Sequence, residues 1–211
     1  DNLVNMDTRT VISGISFESL NNIKIDLDDY QLGMLQSANE INNSKYTFDK
    51  IIHWITDLKC KYELSLEKIS LFKTNNWEIN NNEIKNKNNK YFKVIAAQVE
   101  ISNREVSTWS QPLIEPIKEG VIAFVVKKID GVYHFLVQAK LECGNFDIIE
   151  MAPTVQCVID SYLNTTDIPF LDVILKATKE QIRFNTLQSE EGGRFYREQN
   201  RSVIVEVGNE F

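Results

Sequence analysis

The stretch GVIAFVVKKIDGVYHFLVQAKLE, from Gly120 to Glu142, limits what this chain can fold into more than any other. Two runs rich in β-branched and aromatic residues flank Asp130-Gly131. A two-residue Asp-Gly connection is the strongest short-range signal for a tight β-hairpin. An isolated hairpin is marginal in water, so a sheet has to be built around this one. Further strands read nearby. YFKVIAAQVEI alternates and is rich in β-formers, DIIEMAP reads as a strand, and QIRFNTLQSEEGGRFYREQNRSVIVEV reads as strand, polar loop, strand. KTNNWEINNNEIKNKNNK is dominated by Asn and Lys, but Trp77, Ile79 and Ile84 mark short strands joined by an Asn-rich turn, with Trp77 packed inward.

Helical patterning occupies the first part of the chain, from Asp1 to about Leu71. FDKIIHWITDLKCKY spaces Phe48, Ile51, Ile52, Ile55 and Leu58 three and four apart, one apolar stripe, and Thr47 or Asp49 is placed to cap it. TVQCVIDSYL reads as a helix entered through Ala152-Pro153 with Thr154 as N-cap, and FLDVILKATKE as another helix. The fold class expected is α+β, a mixed sheet flanked by helices, with residues 1–71 a helical N-terminal segment and 72–211 the α+β domain. REVSTWSQPLIEP, Arg104 to Pro116, reads as a short connection between strands, with Pro112 and Pro116 fixing the path that presents Trp109 and Gln111.

The totals exclude some functions. A net charge of −7 over 211 residues argues against a general nucleic-acid binder, while one or two local cations would suffice for a diphosphate. No apolar run is long enough to span a bilayer and no signal peptide is read, so a cytoplasmic protein is expected. The first residue is Asp rather than Met, which reads as a trimmed piece of something longer. Cys60, Cys143 and Cys157 are odd in number and lack metal-ligand spacing, so buried free thiols are expected. His53 and His134 are too few and too isolated for a zinc site, and no metal is expected.

The chemistry concentrates where a sheet would prefer apolar residues. In HFLVQAKLE, Phe135, Val137, Ala139 and Leu141 fall on one parity; His134, Leu136, Gln138, Lys140 and Glu142 fall on the other. The second face carries an amide, an ammonium and a carboxylate in a row. APTVQ offers Thr154 and Gln156 at the expected helix N-terminus, where backbone N–H groups favour an anion. LQSEEGGRF sets Gln188, Ser189, Glu190, Glu191 and Arg194 around Gly192-Gly193. No phosphate-cradling G-x-x-x-x-G-K-[ST], no G-x-G-x-x-G and no G-x-S-x-G occurs, and two histidines do not build a Ser/His/Asp triad. Glu and Lys acting as base and acid are the tools at hand.

Taken in order, NLVNMDTRTV, NNWEINNNEIKNKNNKYFKVIAAQVE, REVSTWSQPLIEP, HFLVQAKLECGN, APTVQ followed by SY, and LQSEEGGRFYREQNR resemble the NDP-hexose 2,3-dehydratases of deoxysugar biosynthesis over nearly the whole chain. The resemblance implies a Nudix-hydrolase-like fold, usually present in two copies. NLVNMDTRTV resembles the joint between copies, which makes this chain the second half of a longer enzyme or a one-copy protein that pairs with itself. No Nudix box is present, so metal-dependent pyrophosphate hydrolysis is not implied, nor is any cofactor. Cys143 in LECGN stands where the family often has Pro.

The implied reaction removes water from C2 and C3 of an NDP-4-keto-6-deoxyhexose, usually the dTDP-glucose derivative. On that template Glu142 or Glu190 is the base for the C3 proton. Lys140, Gln138 or Gln156 donates to the C4 oxygen, where such donors matter most. Arg194, with Arg201 or Arg104 as alternatives, grips the diphosphate. Trp109 offers a flat apolar surface, Gln111 a polar edge beside it, and Tyr162 a proton donor. Thr154, Gln156, Gln188 and Ser189 complete the expected substrate contacts. A dTDP-4-keto-6-deoxy sugar and a second copy or repeat are the partners this implies, with a binding or dimerisation repeat as the competing reading.

Overall fold

The computed structural model describes residues 27–39, 43–103, 105–158 and 168–211. Among the described residues two helices come first, α1 (Asp29–Asn39) and α2 (Phe48–Lys61). Four strands then form a small sheet in the order β1-β2-β3-β4: β1 (Trp77–Ile79), β2 (Glu83–Asn86), β3 (Phe92–Glu100) and β4 (Thr108–Pro116). The larger sheet holds β5 (Gly120–Ile129), β6 (Val132–Leu141), β7 (Ile149–Pro153), β8 (Val155–Val158), β9 (Ile182–Ser189) and β10 (Gln199–Glu206). A short helix α3 (Leu171–Leu175) lies between β8 and β9. Helices and a mixed sheet make the fold α+β, as the patterning implied.

The Asp-Gly hairpin forms as expected. Asp130 (φ 50°) and Gly131 (φ 84°) both take positive φ and join β5 to β6 with Ile129 opposite Val132. β10 then pairs parallel to β5 on its other edge and antiparallel to β9. Val121, Ala123 and Val125 of β5, Val155 of β8 and Val203 and Val205 of β10 form one buried face. Ile174 of α3 covers it with Leu171 and Val173 packed around. Each fully buried valine contributes about 1.5–3 kcal/mol relative to exposure, so this face anchors the fold.

The opposite face receives α1. A Cβ on Gly33 would lie 2.6 Å from Cε2 of Tyr133, so the helix seats against that ring only because position 33 is glycine. Ser37 Oγ accepts the Tyr133 N–H at 2.8 Å and donates to Gly33 O at 2.6 Å. The Tyr133 hydroxyl meets Glu206, which also takes Arg183 Nε at 2.6 Å.

The small sheet is an antiparallel meander. Asn80 Oδ1 accepts from the N–H groups of Asn82 and Glu83 and shapes the β1–β2 turn, and Trp77 packs on Phe92 with centroids 5.1 Å apart. The 190–198 loop ties the two sheets together, for Ile114 N donates to Arg194 O at 2.8 Å and Tyr196 N to Ile114 O at 2.7 Å.

Several expectations need correction. The segment after Thr154 is a strand, not a helix, because Val155–Val158 finds a free β5 edge at Gly120–Ala123 and the sheet ladder outcompetes the helical pattern. REVSTWSQPLIEP is mostly strand rather than connection; Thr108–Pro116 is β4, and as an edge strand it tolerates Pro112 and Pro116. Helix ends at Lys61 rather than near Leu71, with Tyr62 N closing on Leu58 O and only a three-residue 3-10 turn at Leu71–Lys73. Thr47 does cap α2, but of its stripe only Ile55 is buried, while Phe48 stays 66% exposed. The thiols are free, yet Cys60 and Cys143 are exposed and only Cys157 is half-buried.

Candidate functional site

The expected polar strand face exists, and a fork in the large sheet explains it. β6 pairs with β5 from Val132 to Leu136 and then leaves it to pair with β7, while β5 takes β8 at Gly120–Ala123. Thr154 sits in the crotch, 5% exposed. Its hydroxyl accepts the Val125 N–H at 2.9 Å and donates to Leu136 O, satisfying the two backbone groups that the parting strands leave unpaired. Thr154 therefore serves the sheet, not the helix N-terminus expected of it.

Leu136 packs against the core, but Gln138 and Lys140, of the same parity, lie beyond the fork. There the amide of Gln138 donates to Pro153 O at 2.9 Å. Lys140 Nζ donates to Gln156 Oε1 at 2.9 Å and pairs with Glu142 Oε1 at 2.5 Å. An ammonium is thus held between an amide oxygen and a carboxylate. Cys157 is close by, and burial pushes its thiol up against the weaker lowering pull of Lys140.

A second polar group stands at the Gly120 end of the same sheet. Asn200 Nδ2 donates to Glu190 Oε1 at 2.6 Å and Asn200 Oδ1 accepts the Gly120 N–H at 3.0 Å. Burial raises the Glu198 carboxyl, Asn200 pulls it down, and the Glu190 charge adds a further upward push. Asn200 lies opposite both Gly120 and Gln188, and Gln156 opposite Ile122, two residues along β5 from Gly120, so these five positions face one way. From strand spacing and rise, Asn200 and Gln156 stand about 12 Å apart on that face.

The third group belongs to β4 and the 190–198 loop. Trp109 Nε1 donates to Gln111 Oε1 at 2.7 Å, and Gln111 Nε2 donates to Gly193 O at 2.8 Å. Trp109 also lines a shallow cleft of about 570 Å³ with Asn103, Glu105 and Val106.

Of the expected residues, the fold gathers Gln138, Lys140, Glu142, Thr154 and Gln156 at the fork, and Gln188 and Glu190 around Asn200. Arg201 points to the opposite face with Val203 and is bound by Glu119 and Asn185, and Ser189, opposite Gln199, shares that side. Arg194 is exposed and paired with Glu191. Arg104 and Tyr162 lie outside the described residues. Sequence reasoning passed over Asn200, Glu198 and Gly120, whose proximity depends on strand register alone. His134 proves structural, its Nε2 accepting the Lys45 N–H at 2.8 Å. Among the described residues no group of His, Cys, Asp and Glu is arranged to hold a metal, and no helix is long and apolar enough to cross a membrane.

A lysine clasped by an amide and a carboxylate, with further carboxylates on the same sheet, is the equipment of proton-transfer chemistry rather than of a nucleophilic triad. The chain belongs to the NDP-hexose 2,3-dehydratase family, whose sequence profile matches residues 48–211. It is similar to proteins named dTDP-4-dehydro-6-deoxy-alpha-D-glucopyranose 2,3-dehydratase from three organisms. The relative from Saccharopolyspora spinosa is 40% identical over 100% of this chain and 44% of its own length. The one from Streptomyces violaceoruber is 37% identical over 98% and 44%, and that from Amycolatopsis orientalis 34% identical over 98% and 40%. The chain therefore spans less than half the length of these relatives.

Proposed function

We propose that this chain is a dehydratase unit acting on a dTDP-4-keto-6-deoxyhexose and eliminating water across C2 and C3. The observation that carries this reading is similarity along the entire chain to proteins named for that activity. The C4 ketone acidifies the C3 proton, which a carboxylate, Glu142 or Glu190, accepts. The electrons of the C3–H bond move into a C3=C4 enolate, which then collapses to form the C2=C3 bond and expel the C2 hydroxyl, protonated so that it leaves as water. The resulting enol tautomerises to a 3,4-diketo sugar. Lys140 supports this as the donor to the C4 oxygen, because Gln156 and Glu142 hold its ammonium in place and spare it reorganisation when charge develops. Gln138 and Gln156 flank it. The ring face of Trp109 is the surface for the nucleotide base, with Gln111 fixing its tilt. Arg194 is the first choice for the diphosphate, with Arg104 as the alternative, because Arg201 lies on the opposite sheet face and is held by Glu119 and Asn185. Tyr162 is the proton donor for the C2 hydroxyl.

Pairing with a second unit belongs to the same proposal. The stretch after α2 leaves Leu66, Ile69, Leu71 and Phe72 exposed, and the relatives are more than twice as long. A second reading, a repeat that binds the sugar nucleotide without turning it over, is favoured by the way Lys140, Gln156 and Glu142 satisfy one another. The test is to incubate the full-length protein with dTDP-4-keto-6-deoxyglucose and follow release of the 3,4-diketo product. The expected result is turnover that falls at least 100-fold in Lys140→Met. Tight binding of the substrate with no product supports the second reading and overturns the first.

A further inference from the structure

Under the dehydratase reading, two carboxylates compete for the C3 proton. Resting on that reading, we propose that Asn200 is a positioning residue that holds Glu190 as the proton acceptor, leaving Glu142 to hold the Lys140 ammonium.

The polarity of the Asn200 amide is dictated by its neighbours. The Gly120 backbone N–H can only donate, so the amide oxygen must face it, at 3.0 Å. The amide nitrogen then faces Glu190 Oε1, at 2.6 Å, and a donor there calls for an accepting carboxylate. Position 120 admits this arrangement only without a side chain: a Cβ would collide with Asn200 Oδ1 and lie 3.3 Å from Asn200 Cγ and Cys157 O. The backbone is fixed as well, since Glu190 N donates to Glu198 O at 3.0 Å across the foot of the loop. One oxygen of Glu190 is therefore held, and the other retains lone pairs for a proton.

Glu142 is situated differently. It follows the end of β6, its side chain is half-exposed, and Oε1 is occupied by the Lys140 ammonium at 2.5 Å. Taking the C3 proton there would cost the ion pair that keeps Lys140 in place. Glu190 is held instead by a neutral amide, and Asn200 shares its sheet face with Gln156, the acceptor for Lys140. A sugar nucleotide lying across about 12 Å of that face reaches both groups.

The experiment compares N200D, E190Q and E142Q with the unaltered full-length protein. Melting temperature, dTDP affinity, kcat, KM and exchange of the substrate C3 hydrogen in D2O are measured. N200D keeps the oxygen facing Gly120 and replaces the N–H donor by a second oxygen. We expect its kcat and C3 exchange to fall roughly 100-fold with dTDP affinity within a few-fold, in the range of general-base effects. E190Q loses exchange, whereas E142Q turns over more slowly but still exchanges C3 hydrogen. N200D with kcat within threefold of the parent, or exchange that survives in E190Q and vanishes in E142Q, overturns this assignment while the dehydratase reading stands. An unaltered protein that binds dTDP and neither exchanges C3 hydrogen nor forms product overturns the reading itself, and the assignment with it.

Discussion

Replacing Thr154 by Val tests the fork directly. The substitution is nearly isosteric, adds an apolar methyl in a buried position, and on hydrophobicity alone should be neutral or stabilising. The structure demands the opposite. Without the hydroxyl, the Val125 N–H loses its acceptor and Leu136 O its donor, both inside the sheet. An unsatisfied buried group costs about 1–3 kcal/mol, so the two together cost about 2–6 kcal/mol. Thr154→Ser keeps both hydrogen bonds and gives up one methyl, about 1 kcal/mol. In a chain of this size each kcal/mol moves the melting temperature by about 2–4 °C, so T154V melts roughly 5–20 °C lower and T154S only a few degrees lower. Urea denaturation of both variants and amide exchange at Val125 read the effect, with Val125 protection falling in T154V alone. If T154V proves as stable as T154S or more so, the hydroxyl does not hold the strands apart and the explanation of the polar cluster beyond the fork fails with it.

Two further substitutions probe the supports of the same sheet. Burial, then the hydrogen bond to Glu206, pushes the Tyr133 hydroxyl up to about 12. The folded state therefore keeps this proton at pH values where the unfolded chain, titrating near 10, has released it. Its contribution is intact below pH 10 and lost as pH rises from about 10 to about 12, so thermal melts of Tyr133→Phe should show a flatter alkaline limb in that window; an unchanged limb refutes the environment described for this ring. Gly131→Ala places a side chain at φ 84° and should cost roughly 1–2 kcal/mol in urea denaturation, whereas a gain in stability, as expected at negative φ, would contradict the turn.

Much of the fold was legible because it is decided locally. Asp130-Gly131 sets its own torsions, Asn80 shapes its own turn, and Thr47 caps α2 by reaching Lys50 N three residues away. Gln138, Lys140 and Glu142 stood out for a related reason, since charged and amide groups in β-rich runs are conspicuous against the period-two pattern, whereas Gln156 was singled out at an expected helix N-terminus that is strand β8. What the residues alone determined was therefore the α+β class, the central hairpin and a short roster of polar candidates. The tertiary structure decided the rest. Thr154 reads the same whether it caps a helix or clips a fork, and only a free β5 edge makes Val155–Val158 a strand. The prolines of β4 are tolerated because, among the described residues, no further strand lies beyond that edge in the small sheet. Asn200 acquires its meaning from Gly120, 80 positions away in the chain. Torsional preference and periodicity act over a few residues, whereas strand register brings distant ones together, and the partners of Thr154, Asn200 and Gln156 are set by register.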